Sequence, residues 1–309
     1  MKPAIGVRIG WRDLPARVRA RIEDLIGGGT VVEARSQPGG FSPGTADRVR
    51  TAGGRRAFVK AVTAALNVRS AELARQEMRI SAALPRHAPV PRLLDGFDDG
   101  DWVVLILEDV DGAHPGTPWV DREIDAAVAA LRELAAALTP SPLLDVPFAA
   151  DHLAGDFAGW DLIAADPPPD LDPWVADHLD VLRAAAAHGL AALATGTTLT
   201  HCDIRADNML VRPDGRVIIV DWPWGCIGPD WLDTVLLALA IEVHGGTADR
   251  VVAHLDPHVV AGVFAGLAGY FQHVSRLPPP PALPTVRAFQ RWQGDAIMSR
   301  LRKQLAHFG

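Results

Sequence analysis

The stretch that decides the fold covers residues 198–221 and reads TLTHCDIRADNMLVRPDGRVIIVD. It contains two short apolar runs, 209–211 and 217–220, on either side of a Pro-Asp-Gly turn. Apolar runs that flank a turn of this kind predict a β-hairpin. An antiparallel hairpin brings its two open ends together, so we expect Asn208, just before the first strand, to lie beside Asp221, just after the second.

Polar side chains surround the open end of this predicted hairpin. A carboxamide beside a carboxylate, as in Asn208 and Asp221, offers the hard oxygen ligands that suit Mg²⁺, which usually keeps waters and binds substrate phosphates as well. Asp203 lies one loop earlier, where its carboxylate could accept a proton from a hydroxyl group. The stretch therefore predicts a metal pair with a further carboxylate close by.

Composition bounds the class of protein. With 309 residues the chain is long enough for a large core or for two lobes. Its 49% apolar and 22% charged residues are typical of a soluble globular protein. The net charge of −7 argues against nucleic acid and against an anionic membrane as partners, and it would suit a cationic small molecule.

The chain has two cysteines, Cys202 and Cys226, which predict neither a disulfide framework nor a zinc site and fit a reducing compartment. We interpret both as small buried apolar residues, with a redox-sensitive pair as the alternative. Residues 1–10 lack the apolar segment of a signal peptide, and charges or prolines interrupt the apolar runs well short of a membrane span. We expect a cytoplasmic protein.

The first third of the chain has the pattern of a β-rich unit. Residues 38–44 form a Gly-rich turn between two predicted strands, and Lys60 lies in the strand that follows. A Gly-rich turn followed by a strand with an inward-facing lysine is more specific than either feature alone. The predicted elements are a helix at 14–25, strands at 31–36, 46–51 and 56–62, a helix at 70–84, and a strand pair at 92–97 and 102–107.

Glu77 in the predicted helix at 70–84 has a chain separation from Lys60 that fits an ion pair, and Glu72 is the fallback partner. Residues 108–112, Glu-Asp-Val-Asp-Gly, follow an apolar strand and are either a simple loop or a hinge whose backbone could pair with a purine edge. The composition changes there from β-rich to helical. We therefore predict an N-terminal lobe of residues 1–110 and a C-terminal lobe of residues 111–309.

The second lobe is predicted to be mainly helical. Its acidic residues are either helix caps and solvated faces or an acidic wall for a polycationic acceptor. Asp230 is a candidate N-cap, and Asp233 is placed to bond the backbone of the loop that contains Asp203. The predicted helices are at 121–138, 172–193, 230–243, 248–274 and 285–308.

Taken in order, these residues resemble the protein-kinase-like phosphotransferases, and among them the aminoglycoside phosphotransferase and choline kinase group. The resemblance covers nearly the whole chain from residue 31 onward and depends most on His201-x-Asp203-x-x-x-x-Asn208 followed by Asp221. Two departures are Cys202, where a small residue is common, and the missing Gly two residues after Asp221. It implies an α+β, bilobal protein-kinase-like fold with a small antiparallel β lobe that contains one key helix and a larger, mainly α-helical C-terminal lobe.

The resemblance also implies a role for each site residue. Asp203 would orient and deprotonate the acceptor hydroxyl, with Arg205 facing the γ-phosphate. Asn208 and Asp221 would bind Mg²⁺, and ATP or GTP would be the phosphate donor. The remaining roles are Lys60 on the α- and β-phosphates, Glu77 on Lys60, Ser42 over the phosphates, Glu108 and Val110 on the adenine through their backbones, and His201 bonded to the backbone near Asp221.

Three functions follow as hypotheses. The first is a kinase of a hydroxyl on an aminoglycoside or related antibiotic, and the second is a kinase of a primary metabolite such as a sugar, an amino sugar, choline or homoserine. The third is a catalytically silent nucleotide-binding module, against which the intact Lys60, Asp203, Asn208 and Asp221 argue. The sequence leaves the oligomeric state and the choice between ATP and GTP open.

Overall fold

A computed structural model gives the structure of the protein and describes residues 8–37, 43–280 and 283–305. Most of the Gly-rich turn, including Ser42, lies outside these ranges, so the role implied for Ser42 stays a prediction. Within the described residues the chain forms a β-rich part followed by a helical part, in the order that the sequence predicts.

A five-stranded antiparallel sheet forms the β-rich part, with the strand order β1-β2-β3-β5-β4. Its central strand β3 pairs with β2 on one side and β5 on the other, so that Lys60 lies opposite Ala46 and Leu105. The strands are β1 (Val31–Ser36), β2 (Thr45–Thr51), β3 (Arg56–Thr63), β4 (Leu93–Asp98) and β5 (Trp102–Leu107).

Two helices cover the two faces of this sheet. Helix α1 (Ala16–Ile26) buries an apolar stripe that includes Val18 and Ile22 against one face, as its helical spacing predicts. Helix α2 (Val68–Ala83) covers the other face with Ala71 and Ala74. The last turn of α2 inserts Ile80, which is fully buried, into the core of the helical part, so this helix joins the two cores.

The helical part is built around α9, which packs against α4, α5, α6, α7 and α10. Two short strand pairs, β6 with β9 and β7 with β8, lie between α6 and α7 along the chain. The helices are α3 (Asp121–Ala137), α4 (Ala149–Phe157), α5 (Gly159–Ala165), α6 (Pro173–Leu193), α7 (Leu232–Val243), α8 (Asp249–Val252), α9 (Pro257–Val274) and α10 (Val286–Leu305). The strands are β6 (Thr198–Thr200), β7 (Met209–Val211), β8 (Val217–Ile219) and β9 (Cys226–Gly228).

Close contact between α6 and α9 depends on a pair of glycines. A Cβ atom on Gly262 would lie 2.7 Å from the backbone nitrogen of Gly189, and one on Gly189 would lie 2.3 Å from the carbonyl carbon of Gly262. Real Cβ atoms do not approach so closely, so a side chain at either position would push the helices apart. A glycine lowers the stability of a helix, but at these two positions it allows the helices to approach closely.

The structure also differs from the sequence predictions in several elements. Helices α4 and α5 and the pair β6–β9 were not predicted, because these segments are too short for a clear periodicity. The prediction that Asp230 caps α7 is wrong: the helix begins at Leu232, and no side chain caps it. The Pro229 carbonyl accepts the Leu232 amide there instead.

No helix among the described residues combines the length and the apolar character that crossing a membrane requires.

Candidate active site

The predicted hairpin forms as β7 and β8, in a register that places Met209 opposite Ile219 and Val211 opposite Val217. Its open end is closed by a hydrogen bond of 2.9 Å from the Val220 amide to the Asn208 carbonyl. Asn208 and Asp221 are therefore neighbours, as the antiparallel geometry predicts. Asp221 has a positive φ of 70°, which is uncommon for a residue other than glycine and directs its side chain back toward the sheet.

Asp203 lies in the loop between β6 and β7 and is held by two neighbours. The Arg205 guanidinium Nη1 donates to both of its carboxylate oxygens, at 2.8 and 2.7 Å, and Asn208 Nδ2 donates to Oδ2 at 3.0 Å. Burial raises the pKa of Asp203 to about 6, although the charge of Arg205 opposes this rise. The carboxylate is thus oriented, and ionised at neutral pH.

The donor atoms at Asn208 and Asp221 fit a hard divalent cation. Asn208 Nδ2 is occupied by the Asp203 carbonyl at 2.7 Å and by its carboxylate, which leaves the carboxamide oxygen for another partner. The Asp221 side chain is 39% exposed and uses Oδ1 for Lys60, which leaves Oδ2 accessible. Within the described ranges no three His, Cys, Asp or Glu side chains form a group that could hold a metal ion. A small oxygen-binding cation here would need water or phosphate as further ligands.

Lys60, on strand β3, forms one ion pair with helix α2 and one with the residue at the end of the hairpin. Its Nζ donates to Glu77 Oε1 and to Asp221 Oδ1, each at 2.6 Å. Burial lowers the pKa of Lys60, but the charges of Asp221 and Glu77 outweigh it and raise the pKa above its usual value. Glu77 is therefore the partner, as predicted, and the fallback Glu72 pairs with Arg69 at 3.0 Å instead.

A single cleft brings these residues together. The residues that line it include Lys60, Glu77, Asn208 and Asp221, and also the segment 108–110 that follows β5. The Glu108 carboxylate already has a partner, because it accepts a hydrogen bond from Arg92 Nε at 3.0 Å. The pairing of a purine with the backbone of Glu108 and Val110 stays a prediction.

Asp233 in the first turn of α7 fixes the loop that contains Asp203. Its carboxylate accepts the His201 amide at 2.8 Å and the Cys202 amide at 3.0 Å, where Cys202 has a positive φ of 63°. His201 in turn bonds the Val220 carbonyl through Nε2 at 3.0 Å. The predictions for Asp233 and His201 are both confirmed, and the two residues tie the start of the loop to the end of the hairpin.

We expect Asp233→Ala to destabilise the protein by about 2 to 4 kcal/mol, because it leaves two buried amides without an acceptor at about 1 to 2 kcal/mol each. Asp233→Asn should cost less, since its carboxamide oxygen still accepts. Urea unfolding of the variants measures the effect, and Asp230→Ala, at an exposed position three residues earlier, is the matched control. Equal unfolding midpoints for Asp233→Ala and the control would rule out this bracing role.

Aromatic and polar side chains from α9 and α10 border the other side of Asp203. The Arg205 guanidinium lies 5.7 Å from the centre of the Phe289 ring, and Gln290 Nε2 donates to the Tyr270 hydroxyl at 3.4 Å. Burial raises the pKa of Tyr270 to about 12, and the charges of Asp156 and Asp203 both add to the rise. These residues were not singled out from the sequence, since nothing in their spacing relates α4, α9 and α10.

The acidic residues of the helical part do not form a continuous wall. Four of them are ion-paired, namely Asp161 and Asp180 with Arg183, Asp170 with Arg276, and Asp172 with Arg302. Asp172 also caps α6. Asp156 differs, because it is half-buried and burial raises its pKa to about 6. The interpretation as caps and solvated faces thus describes these residues better than the acidic wall does.

Cys202 and Cys226 are both free thiols. A hydrogen bond between them and their burial raise the pKa of Cys202 well above its usual value. A thiol that stays protonated is a poor nucleophile. The two residues therefore fit the interpretation as small buried side chains better than that as a redox pair.

Comparisons with known proteins agree with this architecture. The family model described as the phosphotransferase enzyme family (APH) matches residues 38–272. No curated protein matches the chain. Among solved structures, the chain is similar to an aminoglycoside phosphotransferase from Alicyclobacillus acidocaldarius, with 16% identity, a TM-score of 0.51, and coverage of 95% of this chain and 97% of that one.

Two further structures extend the similarity. A thermostable mutant of APH(4)-Ia in a ternary complex with ADP and hygromycin B has 13% identity and a TM-score of 0.60, with 93% of this chain and 98% of that one covered. Choline kinase LicA from Streptococcus pneumoniae has 15% identity and a TM-score of 0.60, with 94% and 98% covered. At these identities the solved structures establish the protein-kinase-like fold. Because the family model covers most of the chain, the protein belongs to the APH family of phosphotransferases.

Proposed function

We propose that the protein is a small-molecule kinase that transfers the γ-phosphate of ATP to a hydroxyl group with the help of Mg²⁺. The observation that supports this most directly is the single cleft that gathers Lys60, Glu77, Asn208 and Asp221, with Asn208 donating to Asp203 at 3.0 Å. Lys60 and Asp221 are 161 positions apart along the chain, yet they share an ion pair. Phosphoryl transfer requires a cation for the phosphates, oxygen ligands for a metal ion and a group that accepts the proton, all in one place.

In this proposal Asp203 receives and orients the acceptor hydroxyl. Arg205 keeps the carboxylate ionised and fixes its direction, so that a lone pair can accept the hydroxyl proton while the oxygen points at the phosphorus. In a loose transition state, alignment of the attacking oxygen matters more than early removal of its proton. Whether Arg205 also faces the γ-phosphate stays part of the proposal.

On the donor side, Lys60 would hold the α- and β-phosphates, oriented by Glu77. Asn208 and Asp221 would hold Mg²⁺ through the oxygen atoms that their other contacts leave accessible. When bound, the metal neutralises charge that develops on the phosphate oxygens. The backbone of Glu108 and Val110 would receive the adenine, which places the nucleotide between the proposed lobes 1–110 and 111–309.

ATP is the proposed donor because structures of the same fold were solved with ADP and with AMP-PNP. GTP is the alternative. Pairing through the hinge backbone does not by itself separate the two purines, so the comparison of ATP with GTP belongs in the first kinetic experiment.

For the acceptor we propose a hydroxylated compound that carries an amine, with an aminoglycoside or related antibiotic first. Hygromycin B in the complex of a similar fold and the net charge of −7 support this class. A second candidate is a metabolite such as choline, an amino sugar, a sugar or homoserine. It is favoured by the ion pairs that occupy Asp161, Asp170 and Asp172, because these reduce the negative charge that could receive a polycation.

A panel of acceptors with nucleotide turnover as the readout tests the proposal. We expect Mg-ATP consumption to rise with at least one hydroxylated amine and a phosphorylated product to appear by mass spectrometry. Turnover of aminoglycosides supports the first acceptor class, and turnover restricted to small amines or sugars supports the second. If the protein binds no Mg-nucleotide, the kinase proposal fails. Binding without turnover across a broad panel would instead favour a silent nucleotide-binding module.

The charges of Asp156 and Asp203 both act on the Tyr270 hydroxyl, so we expect Asp156 to contribute to the recognition of a cationic acceptor. We expect Asp156→Asn to raise the KM for the amine about 10-fold, as for loss of a hydrogen bond to a charged group, and to leave the KM for ATP unchanged. Because burial raises the pKa of Asp156 to about 6, the wild-type KM for the amine should also rise as the pH falls through 6. Asp151→Asn, an exposed position on the same helix, is the control. Equal KM values in the two variants would remove Asp156 from the acceptor site.

A further inference from the structure

The segment before α1 reaches the nucleotide cleft. Arg8 forms a parallel bridge with Gly44, at the start of β2, and the Ile9 amide donates to the Gly44 carbonyl at 3.2 Å. Gly44 directly precedes Thr45 and Ala46, which also line the cleft, so this contact places Arg8 beside the start of β2. The Arg8 side chain is half-buried and lines the same cleft as Lys60 and Asp221.

The neighbouring residues hold this segment firmly. Trp11 is buried in the cluster formed by α1 and the sheet, and Leu14 is buried beside it. The Gly10 amide donates to the Asp13 carboxylate at 2.8 Å, and the carboxyl group of Asp47 accepts a backbone hydrogen bond from Trp11. The path of the chain between Arg8 and α1 is thus fixed by burial and hydrogen bonds, and Arg8 is presented from an ordered support.

Charge points to the chemistry of a ligand for Arg8. Burial opposes the charge of Arg8, while the carboxylates of Asp221 and Asp47 favour it. Asp221 already pairs with Lys60. When a nucleotide brings several negative charges into the cleft, two cations, Lys60 and Arg8, would then face the phosphates from the side of the sheet. A guanidinium is suited to this, because its planar fork matches two phosphate oxygens.

We propose that Arg8 is a phosphate-binding residue for the nucleotide, reaching the β- or γ-phosphate from the segment that precedes α1. The proposal rests on the proposed kinase function, since it takes a nucleoside triphosphate as the ligand of the cleft. It adds a second fixed cation, from a part of the chain that lies outside the region matched by the family model.

Binding of ATP, ADP, AMP and adenosine to the wild type and to Arg8→Gln tests the proposal by isothermal titration calorimetry. We expect Arg8→Gln to weaken ATP about 10-fold to 100-fold, as for loss of a hydrogen bond to a charged group, and to leave AMP and adenosine unchanged. ADP should be weakened as well for a contact with the β-phosphate and unchanged for a contact with the γ-phosphate. Arg8→Lys keeps the charge without the fork and should recover part of the affinity. Arg12→Gln, an exposed arginine of the same segment, is the control and should bind all four like the wild type.

The pattern across the four ligands decides the outcome. Equal weakening of all four, or no weakening of ATP, would overturn the role proposed for Arg8 while leaving the kinase function intact. If Arg8→Gln does not fold, Arg8→Lys still decides the question, because a phosphate contact predicts a loss for ATP larger than for AMP. A wild type that binds none of the four contradicts the proposed function itself, an outcome separate from any effect of the Arg8 variants.

Discussion

Asp203→Asn is expected to lower kcat by about 10²-fold to 10⁴-fold, the range in which a positioned general base acts. The variant keeps the shape of the side chain, so Arg205 and Asn208 stay near it, but it cannot receive a proton from the acceptor. Nucleotide affinity should stay at the wild-type value, because Asp203 faces the acceptor in the proposed arrangement. Single-turnover kinetics with the best acceptor and calorimetry with Mg-ATP measure the two effects separately.

The pH dependence gives a second check on the same residue. Since burial raises the pKa of Asp203 to about 6, kcat/KM for the acceptor should fall as the pH drops through 6, where the carboxylate gains a proton. Asp207→Asn is the matched control: Asp207 also pairs with Arg205, at 2.9 Å, but no role in accepting the proton is proposed for it. A loss in Asp207→Asn as large as that in Asp203→Asn would mean that the Arg205 network, and not the proton acceptor, limits the reaction.

The second large effect is expected for Lys60→Met. The substitution removes the proposed phosphate contact and should lower kcat/KM for ATP by about 10²-fold to 10³-fold, as for loss of one preorganised charge-stabilising donor. It also leaves Glu77 buried without its partner, and removal of one member of a buried ion pair costs about 3 to 5 kcal/mol. Asp221, the other partner of Lys60, has a side chain that is 39% exposed, so water can solvate it when the lysine is lost. We therefore expect the loss of stability to lie near the lower limit. Steady-state kinetics and urea unfolding measure the two losses.

A double variant separates these two consequences. In Lys60→Met/Glu77→Gln the stranded carboxylate is neutral, so part of the stability should return while the activity stays low. Burial already raises the pKa of Glu77, and loss of Lys60 raises it further. In the folded Lys60→Met variant, Glu77 therefore binds a proton more readily than in the unfolded chain. The stability of Lys60→Met should then fall as the pH rises. A stability gap between Lys60→Met and the wild type that does not widen from acid to neutral pH would contradict this account.

The sequence is most informative where residues close in sequence form one structural unit. The hairpin of β7 and β8, the strand that presents Lys60, and the helix that presents Glu77 all follow from local patterns of apolar and turn residues. The pairing of Lys60 with Glu77 was predicted as well, because the two lie 17 positions apart in adjacent elements. The motif from His201 to Asn208 completes what the sequence predicts.

The parts that the sequence misses depend on elements that meet only in three dimensions. Helices α4 and α5 are short, so their periodicity is weak, and Asp156 on α4 had no pattern that related it to Tyr270 on α9. The N-cap predicted at Asp230 is wrong because helix α7 begins at Leu232, whose amide donates to the Pro229 carbonyl. The interpretation as an acidic wall lost support because arginines pair with several of the acids. Three of these pairs join residues that are 22 to 130 positions apart, and such partners leave no local trace in the sequence.

By itself, then, the sequence determined the order of the candidate site residues and the hairpin that brings Asn208 and Asp221 together, and its resemblance to a known family implied the fold class. The individual elements follow from short-range periodicity and turn chemistry, which are encoded residue by residue. Only the tertiary structure decided that Lys60 bridges Glu77 and Asp221 at once, that Asp233 braces the loop before Asp203, and that Arg8 enters the nucleotide cleft. Such contacts depend on how the sheet and the helices pack, and that geometry is set by burial over the whole chain.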